Sequence, residues 1–273
     1  MIFGINQLRN IKLKLLAIYK APYKYLNYYI NRSYFNGLRN LYRGKRAFVI
    51  GNGPSLCFDD LDKLKDDLTI ASNKIYLAFE HTCWRPTYYT VCDPLVWEKV
   101  KNKIPDSFDS VIIEDTPYLP CEPDSNIQIR TWRVKGLVQN PYQGTPGFSC
   151  NFNTGIFNGY SVTYINLQLA AHLGANPIYL IGCDHHYSGE EPLPANSEVV
   201  VKKDQVNHFI KGYREPGEVV YNAPLSDLTQ AFANARAYAD DNNLEILNAT
   251  RGGHLEVFDR VHFDDLFDKS PSS

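Results

Sequence analysis

Short apolar runs recur along this chain, and each ends in a polar or glycine-rich break. Ala47–Ile50 runs into Gly51-Asn52-Gly53-Pro54-Ser55, Thr69–Ser72 into Asn73, and Tyr88–Cys92 into Asp93-Pro94. Ser110–Glu114 is followed by Asp115, Ile178–Ile181 by Gly182-Cys183-Asp184, and Leu244–Leu247 by Asn248-Ala249-Thr250. Runs of four or five residues with β-branched character have the length of buried parallel strands. Between them lie segments that predict helices at Phe58–Lys65, Leu95–Lys101, Gly155–Leu173 and Leu225–Asn242. Strands alternating with helices predict an α/β fold with a doubly wound, mainly parallel sheet of Rossmann-like type over residues 46–268. Residues 116–150 read as a long irregular segment, 188–224 as a polar lid containing Gly and Pro, and only 269–273 as a disordered tail.

The segment before the first strand follows another pattern. Leu8, Ile11, Leu15, Leu16, Tyr19, Tyr23 and Leu26 supply an apolar face, interrupted at Pro22, over a helical stretch at 5–42. Ten Lys or Arg and no acid fall within the first 46 residues, which leaves 18 basic and 30 acidic residues beyond. Residues 1–45 therefore form a basic amphipathic helical arm. It suits either an anionic membrane surface, met through residues 1–46, or packing on protein with solvated lysines.

The overall charge of −2 argues against a nucleic-acid protein, and a hydrophobic share of 44% is enough for a sizeable core. Six scattered cysteines without a C-x-x-C pair fit a reducing cytosol and give no zinc signal. No run approaches the roughly 20 apolar residues of a membrane span, and the amino end carries no signal peptide. The expected location is cytoplasmic, with the inner membrane face as the site of any peripheral attachment.

Ligands of open α/β sheets bind beyond the carboxyl ends of the strands. Asn52, Asn73, Asp93, Asp184 and Asn248 all stand there, and Thr154 opens the expected long helix. The two glycines of Gly51-Asn52-Gly53 permit a tight turn and close approach of backbone to a ligand. Ser55 adds a hydroxyl and an N–H for phosphate or sugar oxygens. Any one of these residues could equally be a helix cap, and Asn151–Gly155 reads as an N-cap as well as an anion site. Their joint placement at strand ends points to one site.

The ordered set G-N-G-P-S-L, S-N-K-I-Y (Ser72–Tyr76), N-T-G-I-F and I-Y-L-I-G-C-D-H-H-Y resembles family 42 bacterial sialyltransferases over residues 46–250. In those enzymes a lid histidine is the general base, and Val206-Asn207-His208-Phe209-Ile210 is the similar stretch here. The resemblance implies a metal-free, inverting transfer of an acidic sugar, sialic acid-like or Kdo, from a CMP-sugar. The acceptor would be a surface glycan or lipid-linked glycan. His208 would take the acceptor proton, and Tyr187 and Tyr213 would stabilise the departing phosphate. Asn52, Gly53, Pro54, Ser55, Asn73, Asp93, Thr154, Gly155, Asp184 and Asn248 would hold the donor.

The same signature is similar to the MptE-like domain of motility accessory factor proteins and pterin diphosphokinases. Glu245–Leu255 (E-I-L-N-A-T-R-G-G-H-L) and Cys92-Asp93-Pro94 lean to that branch, because the sialyltransferases typically carry Asn where Asp93 stands. That branch implies nucleotide-dependent diphosphokinase chemistry with Mg²⁺ on Asp93 and Asp184. A non-catalytic module in polysaccharide assembly is the third reading, and a homo-oligomer is left open.

Overall fold

The computed structural model describes residues 29–105, 108, 110–114, 128–132, 134–137, 147–187, 193–194, 197–202 and 206–267. The chain divides into two compact units, one ending at Leu38 and the other running from Arg39 onward. Of the first, the described part is a helix, α1, at 29–38; the rest of the basic arm lies outside the described residues, as does the expected tail at 269–273.

The second unit is built on seven strands: β1 (Ala47–Ile50), β2 (Leu68–Ser72), β3 (Tyr88–Val91), β4 (Ser110–Glu114), β5 (Gln128–Trp132), β8 (Ile178–Ile181) and β11 (Ile246–Asn248). Their order is β11-β8-β1-β2-β3-β4-β5, and every neighbouring pair is parallel. The strand order reverses between β1 and β8, whose register aligns Ile50 with Ile181.

Alternation along the strands sends side chains to opposite faces. Phe48, Ile50, Tyr89, Val91, Val111, Ile113 and Ile181 share one core with Leu61 of helix α2 (Phe58–Asp62) and Trp97 of α3 (Pro94–Val100). Thr90 faces the other way, donating to Asn166 Oδ1 of α4 (Val162–His172) at 2.6 Å. The Tyr164 and Phe232 rings then join α4 to α5 (Leu225–Asp241), with centroids 6.2 Å apart. Helices on both faces make the sheet doubly wound, as the apolar pattern predicts.

Two expectations are corrected. The long helix does not start at Gly155: Phe152–Thr154 is a 3₁₀ turn, and Ile156–Asn158 forms a strand, β7, paired with β6 (Val134–Leu137). β5 and β6 also give regular structure to part of 116–150, which reads as irregular in sequence. Within the lid, β9 (Glu198–Val200) and β10 (Val219–Tyr221) pair as an antiparallel hairpin.

Candidate functional site

A cavity of about 990 Å³ opens beyond the carboxyl ends of the strands, at the β1/β8 reversal. Its floor is the turn after β1. Gly51 N–H donates to Ile181 O at 2.8 Å and Gly53 N–H to Gly182 O at 2.9 Å, so β1 and β8 stay joined past their ends. That closeness needs glycine. A Cβ on Gly51 would lie 2.2 Å from Gly182 O, and one on Gly53 would lie 1.9 Å from Asp184 Oδ2.

Asn52, Gly53, Pro54, Asn73, Asp93, Asp184, Tyr187, His208 and Tyr213, all expected from the sequence, line this cavity together. Asn52 donates through Nδ2 to Ser72 O at 3.3 Å, and its Oδ1 is buried with no donor among the described residues. Asn73 sits at φ +57, a left-handed conformation that asparagine tolerates, and its Oδ1 is likewise buried without a donor. Two amide oxygens at the strand ends thus lack hydrogen-bond donors among the described residues. Asp93 caps α3, with Oδ1 accepting from Leu95 N–H at 2.8 Å.

Four expected donor-binding residues lie elsewhere than in the wall. Ser55 is not among the wall residues; it donates its hydroxyl to Asp184 Oδ2 at 2.8 Å and so orients that carboxylate. Thr154 is exposed at the 3₁₀ turn, donating to Asn151 O at 3.1 Å, and Gly155 follows it at φ +96. Asn248 is fully buried because its side chain clamps the chain after β11: Nδ2 donates to Leu255 O at 2.8 Å and Oδ1 accepts from Thr250 N–H at 3.0 Å.

The anion-attracting helix end is instead that of α4. Ser161 caps it by accepting from Thr163 N–H at 3.2 Å, no acidic residue occupies its first turn, and Tyr160, Ser161 and Thr163 line the cavity. The positive end of the helix dipole therefore faces the ligand space. Sequence reading missed these residues, although a serine directly ahead of an apolar helical run is a cap signal. It also missed Lys211 and Arg214, cations of the lid in the same wall.

The lid reaches the turn through backbone: Phe209 N–H donates to Asn52 O at 3.1 Å. His208, the preceding residue, stacks on Tyr213 with ring centroids 3.9 Å apart and planes 8° apart. Tyr213 is itself buried, and its hydroxyl accepts from Lys74 N–H at 3.4 Å. Its ring is thus a platform for the imidazole, and its phenol, expected to meet a departing phosphate, is held against Lys74. Burial pushes that phenol's pKa well above the ordinary value, with Arg214 opposing. Tyr187 is more open, at 38% exposure on the rim.

Charge around His208 is concentrated. Glu218, with a side chain only 4% exposed, receives Lys74 at 3.4 Å, Lys99 at 3.0 Å and the Arg214 guanidinium. Three cations on one carboxylate leave this side of the cavity electropositive, which favours an anionic ligand. Burial, reinforced by Arg214 and Lys74, pushes the His208 imidazole down to about 3. Burial alone would raise the Glu218 carboxyl, but hydrogen bonds from Arg214 and the Glu215 amide bring it down to about 2.

Both shifts carry the same sign for stability. Between pH 6.5 and 3 the unfolded chain protonates its histidine while the folded one does not, and below about pH 5 the same holds for the glutamate. The folded state should therefore lose stability as pH falls from 6.5, more steeply below 5. Chemical denaturation at stepped pH measures this, and Glu218→Gln should flatten the slope below pH 5. An unchanged slope in that variant would remove Glu218 from the account.

A cation, if one served this site, would find carboxylates at Asp93 and Asp184. Among the described residues no cluster of three or more His, Cys, Asp or Glu side chains could hold a metal, so these two would bind it together with ligand phosphates. Among the same residues no helix is long and apolar enough to cross a membrane.

No curated protein sequence matches the chain. A solved structure, the MAf glycosyltransferase from Magnetospirillum magneticum AMB-1, is similar at 13% identity and a TM-score of 0.49. The match takes in 87% of this chain and 38% of that one, so the chain spans well under half of that protein's length. Residues 22–190 match the family model described as 6-hydroxymethylpterin diphosphokinase MptE-like. That match takes in most of the chain, from the arm through β1 and the strand-end residues to Tyr187, and stops short of His208 and Glu218. The chain belongs to the MptE-like family.

Proposed function

We propose that the protein is a glycosyltransferase that moves an acidic sugar from a CMP-linked donor to a glycan acceptor, with inversion and with His208 as general base. The observation that carries this reading is the pair of donorless amide oxygens, Asn52 Oδ1 and Asn73 Oδ1, in the wall that also holds His208. A nucleoside monophosphate offers what they lack, in ribose hydroxyls and a base amine. Its single phosphate needs few cations, which the α4 N-terminus and the lid cations Lys211 and Arg214 would supply.

His208 holds its imidazole in the unprotonated, base form throughout the neutral range. Its basicity in the empty cavity is low, and an anionic donor beside it would raise its proton affinity. It would then accept the acceptor hydroxyl's proton as oxygen attacks the anomeric carbon from the face opposite the leaving phosphate. Holding both substrates in one enclosed space supplies much of the barrier reduction. Tyr187, on the rim, would contact the phosphate. A glycan or lipid-linked glycan is the acceptor class proposed, reached from the cytoplasmic side, with the basic arm of residues 1–46 as the membrane contact.

The family's name and the two cavity carboxylates favour a second reading, Mg²⁺-dependent diphosphoryl transfer, in which Asp93 and Asp184 would hold the ion through nucleotide phosphates. Thermal denaturation with CMP, CDP, GTP and ATP, each with and without Mg²⁺, separates the two. CMP at a hundred times its Kd should add about 2.7 kcal/mol of stability without metal. Metal-dependent stabilisation by ATP in preference to CMP would overturn the glycosyltransferase reading.

A further inference from the structure

We infer that Lys74 is a positioning residue for His208, fastening the lid to the end of β2 through Tyr213 and Glu218. The inference rests on the reading of His208 as base, and deepens it by naming what holds the imidazole in place.

Lys74 grips the lid three ways. Its ammonium donates to Tyr213 O at 2.5 Å and pairs with Glu218 at 3.4 Å, while its backbone N–H donates to the Tyr213 hydroxyl at 3.4 Å. Tyr213 in turn carries the stacked His208 ring. A lysine suits this task because one ammonium has three donors on a long stem and can serve a carbonyl and a carboxylate together. With only 12% of its side chain exposed, the contact is poorly screened by solvent.

Glu218 is the second half of the latch. It gathers Lys74 of the β2 end, Lys99 of α3 and Arg214 of the lid on one buried carboxylate, and it also accepts from Glu215 N–H at 3.1 Å. Without it, three cations would face one another across the base of the hairpin. The placement of Lys74 matters as well, because it directly follows Asn73, a residue of the cavity wall. Two adjacent residues at one strand end thus meet the cavity and the lid. The charged groups facing His208 are Arg214, Lys74 and Glu218, and the two cations contribute to keeping its imidazole neutral.

The test compares Lys74→Met, Glu218→Gln and Lys74→Arg in the full chain. Chymotrypsin cleavage within 206–221 should be about tenfold faster in the first two, as local opening becomes easier, and within about threefold of native in the arginine variant. The His208 ring protons, followed by NMR, should titrate at higher pH in Lys74→Met than in the native protein. Native cleavage rates together with a native His208 titration in Lys74→Met would overturn the inference. If CMP fails to stabilise the native protein while Lys74→Met still loosens the lid, the transferase reading falls and the latch stands. If CMP binds and the lid is indifferent to Lys74, the latch falls alone.

Discussion

His208→Ala is expected to lower turnover by about 10²–10⁴-fold while leaving CMP binding within about threefold. The large kinetic effect follows because, in the proposed mechanism, the imidazole removes a proton in the rate-determining attack. The effect on folding should be small by comparison. The substitution removes one face of the stack on Tyr213, worth about 1 kcal/mol, and leaves no buried charge behind, since the native ring is already neutral. Single-turnover rates with a CMP-sugar, set beside melting curves, separate the two consequences. Near-native turnover in a folded variant would remove His208 from the mechanism.

Gly51→Ala should have the largest effect on stability, and Gly53→Ala a smaller one. A methyl at Gly51 meets the Gly182 carbonyl at 2.2 Å, and the Gly51 N–H is bonded to Ile181 O, so relief requires parting β1 from β8. A loss of about 3 kcal/mol or more is expected, visible as a fall in Tm of roughly 10 °C. At Gly53 the nearest atom is Asp184 Oδ2, whose side chain can rotate away if it gives up its bonds from Ser55. The Gly182 carbonyl oxygen would also lie 2.7 Å from the new methyl, so part of the clash falls on backbone. That variant should lose less stability than Gly51→Ala and lose its response to CMP. A native Tm for Gly51→Ala would show that the two strands are not held as tightly as described.

What could be read from the sequence divides along physical lines. β1, β4 and β8 match their apolar runs residue for residue, because strands buried on both faces are written as short unbroken apolar stretches. β5, β6 and β7 were not legible: β5 (Q-I-R-T-W) and β6 (V-K-G-L) are broken by polar residues and glycine rather than written as apolar runs, and β7 exists through pairing with β6, a non-local contact that overrides the helical reading of Gly155 onward. Asn151 does cap, accepting from Asn153 N–H at 3.1 Å, but what it caps is a single 3₁₀ turn.

Strand-end polar residues were legible for the same reason as the strands. Asn52, Asn73, Asp93 and Asp184 follow apolar runs and do reach one cavity. Asn248 obeys the same pattern at β11, the sheet edge, where its side chain turns inward to bond the following loop. The Lys74–Glu218 pair left no local trace, since the partners are brought together only by the return of the lid.

The joining of β1 to β8 bears on when this protein can first bind anything. The two amides that shape the turn, those of Gly51 and Gly53, find their acceptors on Ile181 and Gly182, far downstream. A growing chain on the ribosome would carry the complete glycine motif long before those acceptors emerge. Because so distant a pairing must await most of the polypeptide, the cavity would take shape late in synthesis, together with closure of the sheet's centre.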